Sequence, residues 1–327
     1  MEQRQLGANG PLVSAIGLGC LSFGGLFGAT DRADSFAALD AAWDGGITFF
    51  DTANIYGSGV SETVLGDWLL GRGHAAVVAT KAGIVTTPPR GFNNSETYIR
   101  AELEASLKRL KTDHVALYYI HRRQQDVPVE DVAGFMARLI DEGKIGGYGL
   151  SEVAPHTIRR AHAVHPVRAV QNEYSLWTRL PDVGVIRACA DLGVAFVPFS
   201  PLARGMLTDA QPDPAAMQGG DIRRTMPRFL EPNFTANRIA IEGFRAYAAA
   251  KGVTAAALAL AWVLDQGQHL VPIPGTRTAG HLGEWIGADR LVLTNADRAE
   301  IDHILPPGFA HGDRYDDAQN IGPERYA

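Results

Sequence analysis

Four side chains able to hold or steer a proton stand at the ends of short apolar runs. Ile47-Thr48-Phe49-Phe50 leads into Asp51, Val77-Val78-Ala79-Thr80 into Lys81, and Val115-Ala116-Leu117-Tyr118-Tyr119-Ile120 into His121. Tyr56 follows Asp51 in the glycine-bounded turn Asn54-Ile55-Tyr56-Gly57-Ser58-Gly59. If the runs are successive parallel strands, all four side chains reach one mouth, at the carboxyl ends where α/β barrels place their chemistry. A phenol, with a pKa of about 10, is too weak an acid for work near neutrality. A neighbouring ammonium lowers that value, and a carboxylate beside the ammonium keeps it charged and oriented. Together the four residues make a tunable proton donor. Taken singly, each has a plainer reading: a packing tyrosine, a solvated lysine, an Asp51-Thr52 helix cap, a polar strand terminus. Their joint occurrence at the ends of three neighbouring runs favours chemistry.

The elements that would position them alternate along most of the chain. Apolar, strand-like runs at 15–20, 47–51, 76–81, 115–121, 146–150, 168–173, 194–199 and 269–273 are interleaved with helical patterns. Phe36, Leu39 and Trp43 mark one helical face, closed by Gly45-Gly46, and Ile99, Leu103, Leu107 and Leu110 mark a second. Val132, Phe135, Met136, Leu139 and Ile140 follow helical spacing up to Gly143, where a C-terminal glycine belongs. Eight runs alternating with helices read as βα units around a parallel sheet. Their low alternation suits strands covered by helices. Before them, Asn9-Gly10-Pro11 between short apolar segments signals a hairpin. Residues 202–235, rich in Pro, Gly, Asp and Arg, read as a long functional loop, and the polar tail 306–327 shows no sustained periodicity.

The 327 residues suffice for one barrel domain spanning 1–327, since such barrels typically take ~250 residues plus insertions. A net charge of −6 with only sparse arginine pairs argues against a nucleic-acid partner. The apolar stretch 253–264 falls short of the ~20 residues of a membrane span and reads as a buried helix. Cys20 and Cys189 are the only cysteines, and the N-terminus shows no signal-peptide pattern, so a reducing cytoplasm is the expected compartment and a disulfide is not expected. No metal site is expected: His162 and His165 stand three apart without an accompanying H-E-x-x-H or cysteine cluster. Gly149-Leu150-Ser151-Glu152-Val153 lacks the closing glycine of a hydrolase nucleophile elbow. Gly17-Leu18-Gly19-Cys20-Leu21-Ser22 supplies only two glycines of the dinucleotide fingerprint.

On the residues Asp51-Thr52-Ala53, Tyr56-Gly57, Lys81, His121, Gly149-Leu150-Ser151 and Phe199-Ser200-Pro201-Leu202, the chain resembles the aldo-keto reductases over about residues 6–285. The resemblance implies a (β/α)8 TIM barrel with an N-terminal β-hairpin and long loops on the C-terminal face. It implies a catalytic tetrad in which Tyr56 is the general acid, Lys81 its electrostatic partner, Asp51 the orienter of Lys81, and His121 either a hydrogen-bond partner of the substrate carbonyl or a helper in relaying the proton. NADPH is the implied cofactor. Ser151, Glu152 and Gln171 match the positions holding the nicotinamide carboxamide, although Asn is frequent where Glu152 stands. Phe199 matches the ring-stacking aromatic, and Ser200, Leu202 and Gly205 match pyrophosphate contacts. Thr276, Arg277, His281, Glu284 and Trp285 fall in the region that binds the 2′-phosphate and adenine; Trp285 either stacks on adenine or packs its helix. Phe23, Tyr56, Trp177 and Tyr315 are the candidate substrate-pocket residues. The implied activity is reduction of an aldehyde or ketone. A redox-sensing subunit of the same fold, like the potassium-channel β subunits, is the alternative, and a barrel aldolase using Lys81 as Schiff-base nucleophile is a third.

Overall fold

The computed structural model describes residues 1–88 and 90–326; Ala327, the last residue of the tail, lies outside them. A hairpin opens the chain, with β1 (Gln3–Gln5) antiparallel to β2 (Leu12–Ser14). There follow β3 (Leu18–Gly19), α1 (Arg32–Asp44), β4 (Phe49–Asp51), α2 (Val60–Arg72) and β5 (Val77–Ala82). A small excursion, β6 (Ile84–Val85) paired with β7 (Gly91–Phe92), precedes α3 (Glu96–Leu110), β8 (Leu117–Ile120) and α4 (Val129–Asp141). Then come β9 (Tyr148–Ser151), α5 (Pro155–Val164), β10 (Ala169–Gln171), α6 (Val185–Leu192) and β11 (Ala195–Phe196). After a long connection, α7 (Asn233–Ala250), α8 (Ala255–Asp265), α9 (Ala279–Leu282) and α10 (Asn295–Ile304) complete the order.

Seven strands form one parallel sheet in the order β11-β10-β9-β8-β5-β4-β3. The eighth run closes it into a barrel without becoming a regular strand. Val271 and Ile273 donate to the carbonyls of Phe196 and Pro198, while the carbonyls of Pro272 and Pro274 accept from Gly17 and Gly19. On the side facing β3 both positions are proline, which has no N–H to give, so this seam is held by half the usual bonds.

Side-chain parity along the strands separates two cores. Leu6, Val13, Phe49, Ala79, Leu117, Tyr119, Ala169, Ala195, Val197, Val271 and Ile273 fill the barrel interior, with the hairpin supplying the first two as a floor. Their neighbours Phe50, Val78, Tyr118, Ile120, Val170 and Phe196 point outward into the helix layer. Room for the inner aromatics comes from glycine: a Cβ on Gly149 would lie 2.4 Å from the Tyr119 ring, and one on Gly17 would lie 2.7 Å from the Phe49 ring. The face read from spacing on α3, Ile99, Leu103, Leu107 and Leu110, is buried, whereas on α1 Leu39 is buried and Phe36 and Trp43 are half-buried against the core. Helix α8 is buried nearly all round, which accounts for its unbroken apolar run. Among the described residues no single helix is long and apolar enough to cross a membrane.

Candidate active site

The same parity delivers the chemistry. Successive strand side chains alternate between faces, so residues two beyond an inward-facing position also face inward. Phe49 is inward and so is Asp51; Ala79 is followed by Lys81, Tyr119 by His121, Ala169 by Gln171, and Val197 by Phe199. Gly149 is likewise followed by Ser151. All of them end at the carboxyl mouth, around a cavity of about 800 Å³ lined by Asp51, Tyr56, His121, Ser151, Gln171 and Phe199 at one end.

Lys81 is fully buried beneath this floor and is not on the cavity wall. Its ammonium donates to Asp51 Oδ1 and, at 2.8 Å, to the Thr52 carbonyl. Gln171 Nε2 donates to the other Asp51 oxygen at 2.9 Å. The Lys81 ammonium lies 5.3 Å from the centre of the Tyr56 ring, and the Tyr56 and His121 rings meet edge to face at 5.8 Å. Burial pushes the Asp51 carboxyl up and the Lys81 ammonium down, and their mutual attraction pulls each back. The Tyr56 phenol, expected to be lowered by Lys81, is instead held well above its ordinary value, by burial first and the Asp51 charge second; Arg122 is the charge that opposes them. Asp51 sits against Lys81 and offsets much of its field at the phenol. Burial, reinforced by the positive charges of Arg122, Lys81 and Arg90, drives His121 well below its ordinary value, so the imidazole is neutral at neutral pH. Its Nδ1 is buried without a partner among the described residues.

The same cavity is also lined by Thr276, Arg277, His281, Glu284 and Trp285. Arg277 has no ion pair among the described residues. His281 Nδ1 lies 2.9 Å from Glu284 Oε1. Trp285 is 2% exposed, with most of its ring packed in the core beneath the wall. The segment 200–205 contributes to the cavity wall, and in it Ser200, Ala203 and Arg204 adopt positive φ angles of 51°, 51° and 55° before Gly205 at 100°. Non-glycine residues held in this region are strained, by about 1–3 kcal/mol each, and cluster at ligand sites. The loop 202–235 then arches over the cavity: Ile222 N donates to the Leu26 carbonyl at 3.0 Å, and the Arg223 guanidinium covers the Phe27 ring.

Three sequence-derived site residues lie elsewhere. Phe23 is 2% exposed in the core and does not line the cavity. Trp177 stacks on Phe229 under Arg228, also away from the cavity. Glu152, expected beside a carboxamide, turns away from the cavity into a buried ion cluster. Arg314 NH2 donates to Glu152 Oε2 at 2.7 Å, and Glu173 N donates to Glu152 Oε1 at the same distance. Burial raises the Glu152 carboxyl, but Arg314, helped by Arg122 and the Glu173 N–H, offsets it and leaves the group below the usual carboxylate range. Glu173 is shared between Arg314 and Arg204. A second anchor, Glu324, accepts from Arg123 and from the Ala154 backbone. These bonds lay the tail across the mouth and place Tyr315 on the cavity wall, between the Arg204 and Arg314 guanidiniums.

Sequence reasoning also passed over Arg122. The signal was present, an arginine immediately after a strand-end histidine. Arg122 NH1 donates to the His121 carbonyl at 2.6 Å and to Ser151 Oγ at 3.0 Å.

A parallel barrel carrying this Asp-Tyr-Lys-His constellation at its carboxyl mouth is the architecture of a barrel oxidoreductase rather than of a doubly wound dehydrogenase. The model of the aldo/keto reductase family matches residues 15–306. The chain is 38% identical over 320 residues to probable aldo-keto reductase 1 of Glycine max, covering 95% of this chain and 91% of that one. It is 39% identical over 311 residues to aldo-keto reductase yakc, NADP(+), of Schizosaccharomyces pombe, covering 93% and 92%. Among solved structures it superposes with TM-score 0.84 on a glycerol dehydrogenase from Gluconobacter oxydans, at 27% identity over 93% of this chain and 94% of that one. An aldo-keto reductase from Bacillus halodurans in its holo form superposes with TM-score 0.78 at 25% identity, covering 98% and 99%. The chain belongs to the aldo/keto reductase family of oxidoreductases.

Proposed function

We propose that this protein reduces an aldehyde or ketone to the alcohol with NADPH, and that Tyr56 donates the proton. The observation carrying this reading is that one cavity is lined both by the proton-donor constellation and by Arg277, which has no ion pair among the described residues. The residues fit the dinucleotide: Phe199 offers a ring face beside the tetrad, the strained 200–205 turn lines the same cavity, and Thr276 and Arg277 suit a 2′-phosphate by charge and hydrogen bonding. The name of the Schizosaccharomyces pombe relative supports NADP over NAD.

The chemistry the dinucleotide supplies when bound is hydride transfer to the carbonyl carbon. The chain's own residues handle the proton. Tyr56, whose burial keeps the phenol protonated, donates to the carbonyl oxygen as negative charge develops there. Neutral His121 donates a hydrogen bond to the same oxygen, and its low proton affinity prevents it from competing as the acid. Lys81, fixed by Asp51 and the Thr52 carbonyl, supplies positive charge behind the Tyr56 ring as the phenolate forms. A Schiff-base role for Lys81 fits poorly, because the amine is fully buried and does not reach the cavity.

Tyr56→Phe tests the assignment. Steady turnover of generic aldehydes should fall by about 10²–10⁴-fold, the usual worth of a general acid, while NADPH binding measured by nucleotide fluorescence stays within twofold. A variant keeping more than half the wild-type kcat would remove Tyr56 from its role. Slow single-turnover oxidation of NADPH by the wild type, without steady turnover, would favour the sensor reading.

A further inference from the structure

Five guanidiniums line the cavity: Arg90, Arg122, Arg204, Arg223 and Arg277. Two are neutralised, Arg204 by Glu173 at 2.8 Å and Arg223 by Asp221 at 2.6 Å. Among the described residues the other three have no ion pair. Arg277 is the one assigned above to the 2′-phosphate. Arg90 and Arg122 stand instead at the tetrad end, beside Tyr56, His121 and Tyr315, where a bound nicotinamide presents no anionic group. Their charge calls for another anion.

We propose that Arg122, assisted by Arg90, forms a subsite for an anionic group on the substrate, so that the preferred carbonyl compounds carry a carboxylate or phosphate. This rests on the reductase reading above and names its substrate class. Arg122 is held rather than floating, because NH1 donates to both the His121 carbonyl and Ser151 Oγ. A guanidinium carries five donors. The remaining three, on Nε and NH2, meet no acceptor among the described residues. The Arg122 guanidinium lies 6.0 Å from the Phe199 ring centre, which puts those donors within the tetrad end. Arg90, immediately before β7, lines the same cavity and acts on His121. Nearby carboxylates are engaged elsewhere: Asp51 is paired with Lys81, Asp221 with Arg223, and the buried Glu152, whose charge also acts on Arg122, with Arg314, while Asp213 caps a 3-10 turn and Glu284 meets His281 in the segment that carries Arg277. Asp316 on the tail acts on Arg90 without forming an ion pair. Both charges bear on the buried imidazole of His121, which fits cations concentrated at the substrate end. Two positive charges in a walled cleft also raise the local concentration of an anionic substrate.

The test compares matched pairs with NADPH: benzaldehyde against 4-carboxybenzaldehyde, butanal against succinic semialdehyde, and glyceraldehyde against its 3-phosphate. The wild type should favour at least one anionic member by about tenfold or more in kcat/KM, since a charge-assisted hydrogen bond is worth roughly 10–100-fold in binding. The carboxylate and phosphate pairs show which anion the subsite accepts. In Arg122→Gln the anionic-to-neutral ratio should drop about tenfold, and in Arg90→Gln severalfold, with the loss in KM more than in kcat. The wild-type preference should shrink as salt rises. If Arg122→Gln fails to fold, Arg90→Gln and the salt series still decide. Equal kcat/KM for every pair, or ratios that neither variant moves, would overturn the subsite while leaving the reductase intact. No reduction of any compound would overturn the reductase reading, and the subsite with it.

Discussion

Removing Arg314 should unbalance the most deeply buried charge cluster outside the tetrad. Glu152 and Glu173 are nearly solvent-free, with side chains 4% and 1% exposed, and both face Arg314. Breaking a buried pair by deleting one partner typically costs about 3–5 kcal/mol, because the other charge is left uncompensated. Glu173 keeps Arg204 and the Thr178 hydroxyl, so the burden falls on Glu152, whose one surviving bond comes from Glu173 N. We therefore expect Arg314→Met, which keeps the packing of the stem, to lose about 3 kcal/mol near neutral pH, the lower end of that range. The pH dependence has a definite sign. In the wild type the Glu152 carboxyl is depressed, so its contribution is present above the unfolded carboxylate range and is lost as pH falls through the folded value. In the variant burial acts on Glu152 without Arg314 and raises the carboxyl, so folding takes up a proton and the deficit shrinks on acidification. Urea unfolding of both proteins near pH 8 and near pH 5 measures this. The deficit near pH 5 should be about half that near pH 8 or less, because each tenfold change in proton affinity on folding is worth ~1.4 kcal/mol. Because Arg314 also seats Tyr315, KM for substrate should rise. A deficit under about 1 kcal/mol near pH 8, or one that grows as pH falls, would refute the assignment of Glu152 as the tail anchor.

Arg277→Ala should narrow the NADPH-over-NADH preference by about tenfold or more, leaving NADH affinity nearly unchanged; an unaltered ratio of dissociation constants would show that Arg277 is not the phosphate clamp. Saturating NADPH should protect the loop 202–235 from limited proteolysis, since that loop bridges the cavity through Ile222 and Arg223. Cleavage at equal rates with and without the nucleotide would count against its acting as a closing flap.

What the sequence by itself determined is local and periodic. The two-residue period of strands made the parity of Asp51, Lys81, His121, Ser151, Gln171 and Phe199 inevitable once their runs became parallel strands. Helical spacing likewise marked the buried faces of α3 and α4. The eighth run was legible as apolar and extended, but its prolines allow a seam rather than a regular ladder. Tertiary structure decided whatever depends on residues far apart in the chain. Arg314 lies 162 positions from Glu152 and Glu324 201 from Arg123, and no periodicity marks such partners. That pairing turned Glu152 out of the cavity, and it seated Tyr315 on the wall. Phe23 and Trp177 were large apolar residues near the right segments, yet apolar character favours a core and a cavity wall alike, and only packing chose the core. The direction in which the Tyr56 phenol moves was also beyond sequence. It depends on how burial and Asp51 at one mouth balance the positive charges around them, a sum over distances that exists only in the fold.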